Sequence, residues 1–428
     1  MKGLSETIRS SINHYKVNGL PDFFIYFISN IFVSIIPFLL LPILTRAFTT
    51  SEYGLIGMFS AVLAFLYSII GLKSESILSI KFFSASTTTF KNYLISSIYI
   101  LLISALLIIL ASLIFIDQIR TVTFLDQKFI FLGIFVAISN VFITIRLSLW
   151  MVQKKPYPYA FFHSALAVLN ISLSLLLVFI FNMGFEGRLY GIASAIIIFG
   201  IISLYSLLNN KLLTVYPRKD ELIETSIYAY PLVFHAMSYT ILATIDRYFI
   251  SKNLGLDQLG IYVVAVQLSS IMIILVESVS KSFLPIVYEA LNSSDYQKKV
   301  AVVRDTYKYC LFYFCIAMAI AMMSKFIILI MAGDKYFDAI LPFIILLFAH
   351  VFYGFYEMFS HYLFFKQQTV RLSSVTVFVA TLCVILIIFL LPIYGLIGAS
   401  LAFLLSAIVR FLIILFLATR AVSMPWLK

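Results

Sequence analysis

Charge is scarce in this chain. Asp, Glu, Lys and Arg make up 11% of its 428 residues, against about 25% in soluble domains. Cysteine is rarer still: Cys310, Cys315 and Cys383 all fall in apolar runs. They read as small hydrophobes and offer neither a disulfide framework nor metal-ligand spacing. No Gly-rich phosphate loop ends in Lys-Ser or Lys-Thr, so nothing in the sequence points to ATP as the direct energy source. No polar connection is long enough to fold by itself, which excludes an appended nucleotidase or glycosyltransferase domain. The first twenty residues are polar, with Lys2, Glu6, Arg9, Asn13 and Lys16. A cleavable signal peptide is therefore not expected, and the first span should be retained.

What is abundant is apolar surface. Hydrophobic residues reach 62% and mean hydropathy is +1.06, which places the chain among integral membrane proteins. Ser96 to Ile116 alone supplies the roughly 20 apolar residues that cross a hydrocarbon core. Hydropathy predicts twelve helices, at 21–44, 53–72, 92–116, 128–151, 158–182, 189–209, 227–250, 259–283, 307–331, 339–365, 372–392 and 396–419. An even number puts both termini on one side. With the termini in the cytoplasm, the inner segments hold about 20 Lys and Arg. The outer ones hold seven: Arg46, Arg120, Lys128, Arg188, Arg247, Lys252 and Lys335. The positive-inside rule favours that orientation. The net charge of +11 is then an orientation signal with some attraction to anionic lipid, and does not indicate nucleic acid. Three longer inner loops, Lys73–Lys91, Asn210–Thr225 and Pro285–Asp305, mix charge with Tyr, Leu and Val and are expected to lie along the inner surface.

The chain also repeats itself. LPILTRAFTTSEYGLIG (41–57) is echoed by ATIDRYFISKNLGLDQLGIYVV (243–264), and GRLYGIASA from Gly187 by GLIGASLAF from Gly395. Gly54 to Gly260 is an offset of 206, and Gly191 to Gly398 one of 207. Two landmarks at nearly one offset indicate a duplication, with halves at 1–210 and 211–428. Duplicated membrane proteins usually place the working site between their halves.

The segments FLLLPILTRAFTTSEYGLIGMFSA (38–61), DRYFISKNLGLDQLGIYVVAVQLS (246–269) and LPIYGLIGASLAFLLS (391–406) resemble the polysaccharide-exporter family of the multidrug/oligosaccharidyl-lipid/polysaccharide superfamily. Within it, the chain is similar to bacterial O-antigen flippases of the Wzx type. These words cover about a seventh of the residues; span count, length and repeat extend the likeness to the whole chain. The resemblance implies an all-α fold of twelve helices in two six-helix bundles around a central cavity. It also implies a bacterial cytoplasmic (inner) membrane location and no cofactor. The implied cargo is an undecaprenyl-diphosphate-linked oligosaccharide turned from inner to outer leaflet. A polysaccharide polymerase and a chain-length regulator are implied partners, beside the membrane lipids. Such a cargo needs help because burying an unpaired diphosphate and sugar hydroxyls in hydrocarbon costs many kcal/mol.

Charged residues inside the spans are the candidate site. Arg146 lies two-thirds along the fourth span, on one face with Ser139, Ile143, Trp150 and Gln153. An arginine there costs about 2.5–3.5 kcal/mol on insertion scales. Arg146 and Trp150 are candidates for binding phosphate or acidic sugar; a structural pair with a carboxylate, or snorkelling, competes. In the tenth span His350, Gly354, Glu357 and His361 fall within about 40° of one another. His350, Glu357 and His361 are candidate ion-coupling residues, and an interhelical hydrogen-bond network is the alternative. Asp246 and Arg247 end the seventh span, where Arg46 matches Arg247 in the repeat. Headgroup binding by Arg46 and Arg247 and ion coupling by Asp246 compete with an interfacial anchor. Pro231 shares a face with His235, Ser238 and Asp246, and with Pro37 and Pro42 of the first span it is a candidate hinge. Glu277 and Lys281 are expected to form an i,i+4 pair. Lys325 and Arg410, placed nearer span ends, are expected to snorkel.

Three functions compete. A lipid-linked oligosaccharide flippase, which is not an enzyme, fits the excess of Arg over carboxylate in the spans. A small-molecule antiporter of the related multidrug type shares the plan but would favour carboxylates for cationic cargo. A membrane polysaccharide polymerase would need a sizeable outer catalytic loop, and the longest outer connection has about eleven residues.

Overall fold

The computed structural model describes residues 2–209, Leu212 and 216–426, with only the backbone for residues 2–23 and for His235. The boundary expected at 210/211, residues 210, 211 and 213–215 of the expected Asn210–Thr225 loop, and the His235 side chain thus lie outside the described residues, while 219–225 of that loop are helical. Fifteen α-helices follow one another: α1 (Lys2–Ala47), α2 (Thr50–Ile69), α3 (Ser76–Ser84), α4 (Thr87–Ile114), α5 (Ile116–Thr123), α6 (Gln127–Val152), α7 (Pro156–Leu175), α8 (Gly184–Asn209), α9 (Lys219–Leu254), α10 (Leu256–Ser269), α11 (Ile271–Asn292), α12 (Tyr296–Met322), α13 (Ser324–Met331), α14 (Ile340–Phe365) and α15 (Thr369–Ala421).

Every predicted span falls on helix. Nine described helices are long and apolar enough to cross a membrane, and α12 with α13, bent by 64°, makes a tenth. At 53 residues α15 is long enough for two spans, and it turns at Gly395, whose φ of 57° and ψ of −137° are non-helical. Only glycine adopts that backbone without strain. α9, rich in Tyr, Ser and Thr, is less apolar but occupies the predicted seventh span. Of the inner loops, Lys73–Lys91 contains the short helix α3. Pro285 instead continues α11 as far as Asn292, so the third loop is mostly an extension of the spans themselves.

Contacts group the chain into two units. The first comprises Met1–Leu39, Leu66–Asp117 and Asp126–Val233; the second comprises Leu40–Phe65, Gln118–Leu125 and Phe234–Lys428. These packing units are not the duplicated halves, because the later part of α1 and the first part of α2 pack with the second unit. In the first unit α6 packs against α3, α4, α7 and α8; in the second, α14 packs against α10, α11, α12, α13 and α15. The fourth span of each repeat is therefore the hub of its unit, which is why a polar residue on α6 or α14 ends up inside.

In the first unit, Lys81 of α3 pairs with Glu224 of α9 at 2.5 Å, and Tyr93 of α4 donates to the same carboxylate. The lysine and the phenol together hold the Glu224 carboxyl below its usual range.

Repeat landmarks meet within the second unit. A Cβ on Gly54 would overlap Leu256 O and stand 3.1 Å from Gly260 N; a Cβ on Gly260 would overlap Thr50 O and stand 3.1 Å from Gly54 N. Thr50 with Leu256 and Gly54 with Gly260 are the same offset of 206, and Gly57 faces its own equivalent, Val263. Such reciprocal contact between equivalent residues is the mark of a local two-fold. It needs glycine because backbone touches backbone. The crossing is fixed from both sides. Thr49 and Glu52 form a capping box at the start of α2, with Thr49 N donating to Glu52 Oε2 at 2.8 Å and Glu52 N donating to Thr49 Oγ1 at 3.2 Å. Thr50 Oγ1 donates to Asp257 Oδ1 at 2.5 Å, and Tyr53 Oη donates to Gln267 Oε1 at 2.8 Å. Replacing Gly54 or Gly260 by Val should destabilise the purified protein by about 1–3 kcal/mol, as overpacking does. Thermal unfolding in detergent reads this, and an unshifted midpoint in both variants would refute the crossing.

Candidate functional site

A mid-membrane arginine must be buried against protein or water. Arg146 is 7% exposed. Its guanidinium lies 4.3 Å from the Trp150 ring centroid, one turn further along α6, and Trp150 in turn stacks edge-on to Phe162 at 5.2 Å. Nε of Arg146 is buried without a hydrogen-bond partner. A cation over an indole face is attracted by the ring quadrupole, while the in-plane N–H groups point away from the ring and remain suited to an oxyanion.

The second unit has its own arginine, which the sequence reading placed wrongly. Arg410 is buried at 7% exposure, with its guanidinium 4.4 Å from the Tyr356 ring and 5.3 Å from that of Tyr353. Snorkelling fails on distance. Eleven residues separate Arg410 from the end of α15 at Ala421, about 16 Å of helix, which an arginine side chain cannot span. The repeat could have revealed it. At the offset of 207, Arg146 corresponds to Tyr353 and Arg410 to Ser203, and α6 packs on α8 as α14 packs on α15. Each unit thus places a guanidinium against aromatic rings of its hub helix, α6 or α14.

Arg410 lines a cavity of about 220 Å³ in the second unit, together with Tyr239, Asp246, Arg247, Tyr262 and His350. Asp246 is fully engaged. Tyr262 Oη donates to its Oδ2 at 2.8 Å, Arg247 Nη1 to its Oδ1 at 3.2 Å, and the Arg247 backbone N–H to the same atom at 2.8 Å. The expected Asp246–Arg247 pair is present, and the phenol of Tyr262 makes it a three-residue unit. His350, 7% exposed, sits edge-on to Phe403 at 5.8 Å.

Glu357 and His361 lie elsewhere on α14. They line a larger cavity of about 590 Å³ with Glu277, Ser280, Lys281 and Tyr288, and Tyr353 borders both cavities. Ser280 Oγ and His361 Nε2 are 3.0 Å apart, and Glu277 pairs with Lys281 at 2.9 Å. The histidine–carboxylate trio of the tenth span is therefore divided between two cavities of one unit. Arg46 is exposed and its two terminal nitrogens donate to Pro42 O and Ile330 O, each at 2.8 Å. Thr45 Oγ1 also donates to Met331 O at 3.2 Å. Together they satisfy carbonyls at the end of α13, as an anchor would. Arg247 repeats the local pattern, donating to Ala243 O four residues back at 2.6 Å, which agrees with the pairing of Arg46 and Arg247 in the duplication.

Helices α1 and α9 run unbroken through Pro37, Pro42 and Pro231. The sharp bends are at Gly395 and between α12 and α13. The prolines do coincide with another boundary. α1 passes from the first unit to the second between Leu39 and Leu40, and α9 between Val233 and Phe234.

Comparison with known proteins fits this geometry. Residues 20–291 match the model of a family described as polysaccharide biosynthesis protein. A protein of the Lsg locus of Haemophilus influenzae is 24% identical over 364 residues, covering 83% of this chain and 87% of that one. Among solved structures, the lipid II flippase MurJ in an inward closed conformation superposes with a TM-score of 0.76 at 16% identity, over 91% of this chain and 86% of that one. An inward-facing multidrug resistance MATE family transporter of the MOP superfamily gives 0.72 at 14% identity, over 92% and 95%. A multi-pass all-α chain with the transporter fold shared by these two structures, it belongs to the polysaccharide biosynthesis protein family.

Proposed function

We propose that the protein is a flippase that moves an undecaprenyl-diphosphate-linked oligosaccharide, the repeat unit of an O-antigen or similar surface polysaccharide, from the inner to the outer leaflet of the bacterial cytoplasmic membrane by alternating access. The observation that carries the reading is Arg146, buried in mid-span and stacked on Trp150, in a chain of a polysaccharide biosynthesis family. A buried guanidinium is costly unless something anionic uses it. In this reading Arg146 and Trp150 engage the diphosphate and a sugar face, and the polyprenyl tail stays in lipid. The duplicated halves, 1–210 and 211–428, move against each other, with Pro37, Pro42 and Pro231 as hinges next to the points where α1 and α9 change unit. Arg46 and Arg247 serve the outer end, where their carbonyl and carboxylate contacts also support an anchoring role. Both termini lie in the cytoplasm, and no catalysis is assigned. A polymerase and a chain-length regulator would receive the product.

Ion coupling falls to the second unit. Glu357 and His361 share a cavity with Glu277 and Lys281, while His350 and Asp246 line the other. The multidrug-type antiporter is supported by the same fold, but the buried arginines Arg146 and Arg410 make no ion pair among the described residues, and that favours an anionic cargo.

Replacing Arg146 by Ala should abolish surface polysaccharide while membrane protein levels are retained, and Arg146→Lys should restore part of it. Normal polysaccharide in the Ala variant would reject the role. Glu357→Gln and His361→Gln should each change the pH profile of flipping in vesicles; superimposable profiles would remove these residues from coupling.

A further inference from the structure

The cavity of the second unit carries a charge imbalance. Its lining holds Arg247, Arg410 and one carboxylate, Asp246. Asp246 is committed to Arg247 and Tyr262. Glu357 of α14 lies within electrostatic range of Arg410, but no described carboxylate makes an ion pair with it, although the side chain is more than nine-tenths buried. A guanidinium removed from water without a direct ion pair is expensive, and cation–π contact with Tyr353 and Tyr356 offsets only part of that. Those rings occupy the face of the guanidinium. Its in-plane donors are what remains: Nε is buried without a partner, so the terminal nitrogens are the donors available to a ligand. A planar fork of free N–H groups at the wall of a cavity is the arrangement that binds an oxyanion through two parallel hydrogen bonds. Ser270 and the hydroxyls of Tyr239 and Tyr353 stand at the same cavity and can donate to the remaining oxygens.

We infer that this cavity is an anion-binding site inside the second unit, with Arg410 as its principal ligand and a phosphate or diphosphate group as its occupant. A space of about 220 Å³ has room for one or two phosphoryl groups. The anion has two sources, free inorganic phosphate or the headgroup of a lipid-linked cargo. Only the second rests on the flippase reading.

The test uses the full-length protein in nanodiscs, with thermal unfolding followed against sodium phosphate, sodium pyrophosphate or undecaprenyl diphosphate in the disc. Binding to the folded state raises the midpoint by mass action. At least one of the three should raise it. Pyrophosphate active without the lipid identifies a free anion, and the lipid active alone identifies the headgroup. Arg410→Gln should weaken binding about tenfold or more, and Arg410→Lys, which keeps the charge but loses the fork, by a smaller factor. Phe403→Trp should weaken it as well, by filling the cavity without altering charge, so the test survives if Arg410 variants fold poorly. Arg371→Gln, at an exposed site, should leave the shift intact. No shift with any probe, or shifts undiminished in Arg410→Gln and Phe403→Trp, would overturn the assignment. Because binding is read without transport, its failure leaves the flippase reading standing, and normal polysaccharide in Arg146→Ala would leave this one standing.

Discussion

A guanidinium held inside a membrane span is the constraint on which the structure turns. Hydrocarbon cannot solvate it, so the helix that carries it must face protein or water. The chain meets this requirement in both units by the same means. Arg146 rests on Trp150, and Arg410 rests on Tyr353 and Tyr356. In each case the rings stand on the hub helix, in its seam with a neighbouring span. The ring faces hold the cation in place and leave its edges free. Neither arginine has a carboxylate partner among the ion pairs of the described residues, in contrast to Arg247, which Asp246 neutralises.

Duplication explains why the seam recurs. The hub helices α6 and α14 are equivalent, and the strongest internal evidence for the two-fold is the contact of Gly54 and Gly260 with each other's repeats. The arginine comes from α6 in the first repeat and from α15 in the second, and α14 carries a histidine–carboxylate face that α6 lacks.

Much of the fold was legible in the sequence. Apolar runs of about 20 residues located most of the spans, because hydrocarbon thickness sets length with little tolerance, and the glycine offset exposed the duplication. Bends were less legible. Pro37, Pro42 and Pro231 drew attention, yet those helices run on, since a membrane helix re-satisfies the carbonyl that proline leaves free. Gly395 and the α12–α13 bend, which do break the axis, lie where a short turn joins two apolar arms. The candidate site was half legible. Arg146 stood out through its isolation, whereas Arg410 was mistaken for a snorkelling residue because it was judged from a span end rather than by helix distance. Likewise, 100° periodicity grouped His350 with Glu357 and His361, but about two turns of helix between His350 and Glu357 are enough to separate two cavities.

The account stands or falls on whether the protein itself moves a diphosphate-linked sugar across a bilayer. Proteoliposomes carrying the purified protein and a polyprenyl-diphosphate oligosaccharide, assayed for the rate at which the sugar becomes accessible to an impermeant glycosidase, measure this directly. The account predicts accessibility rising well above that of protein-free vesicles, and far less in vesicles with Arg146→Ala. Equal rates with and without the protein would contradict it.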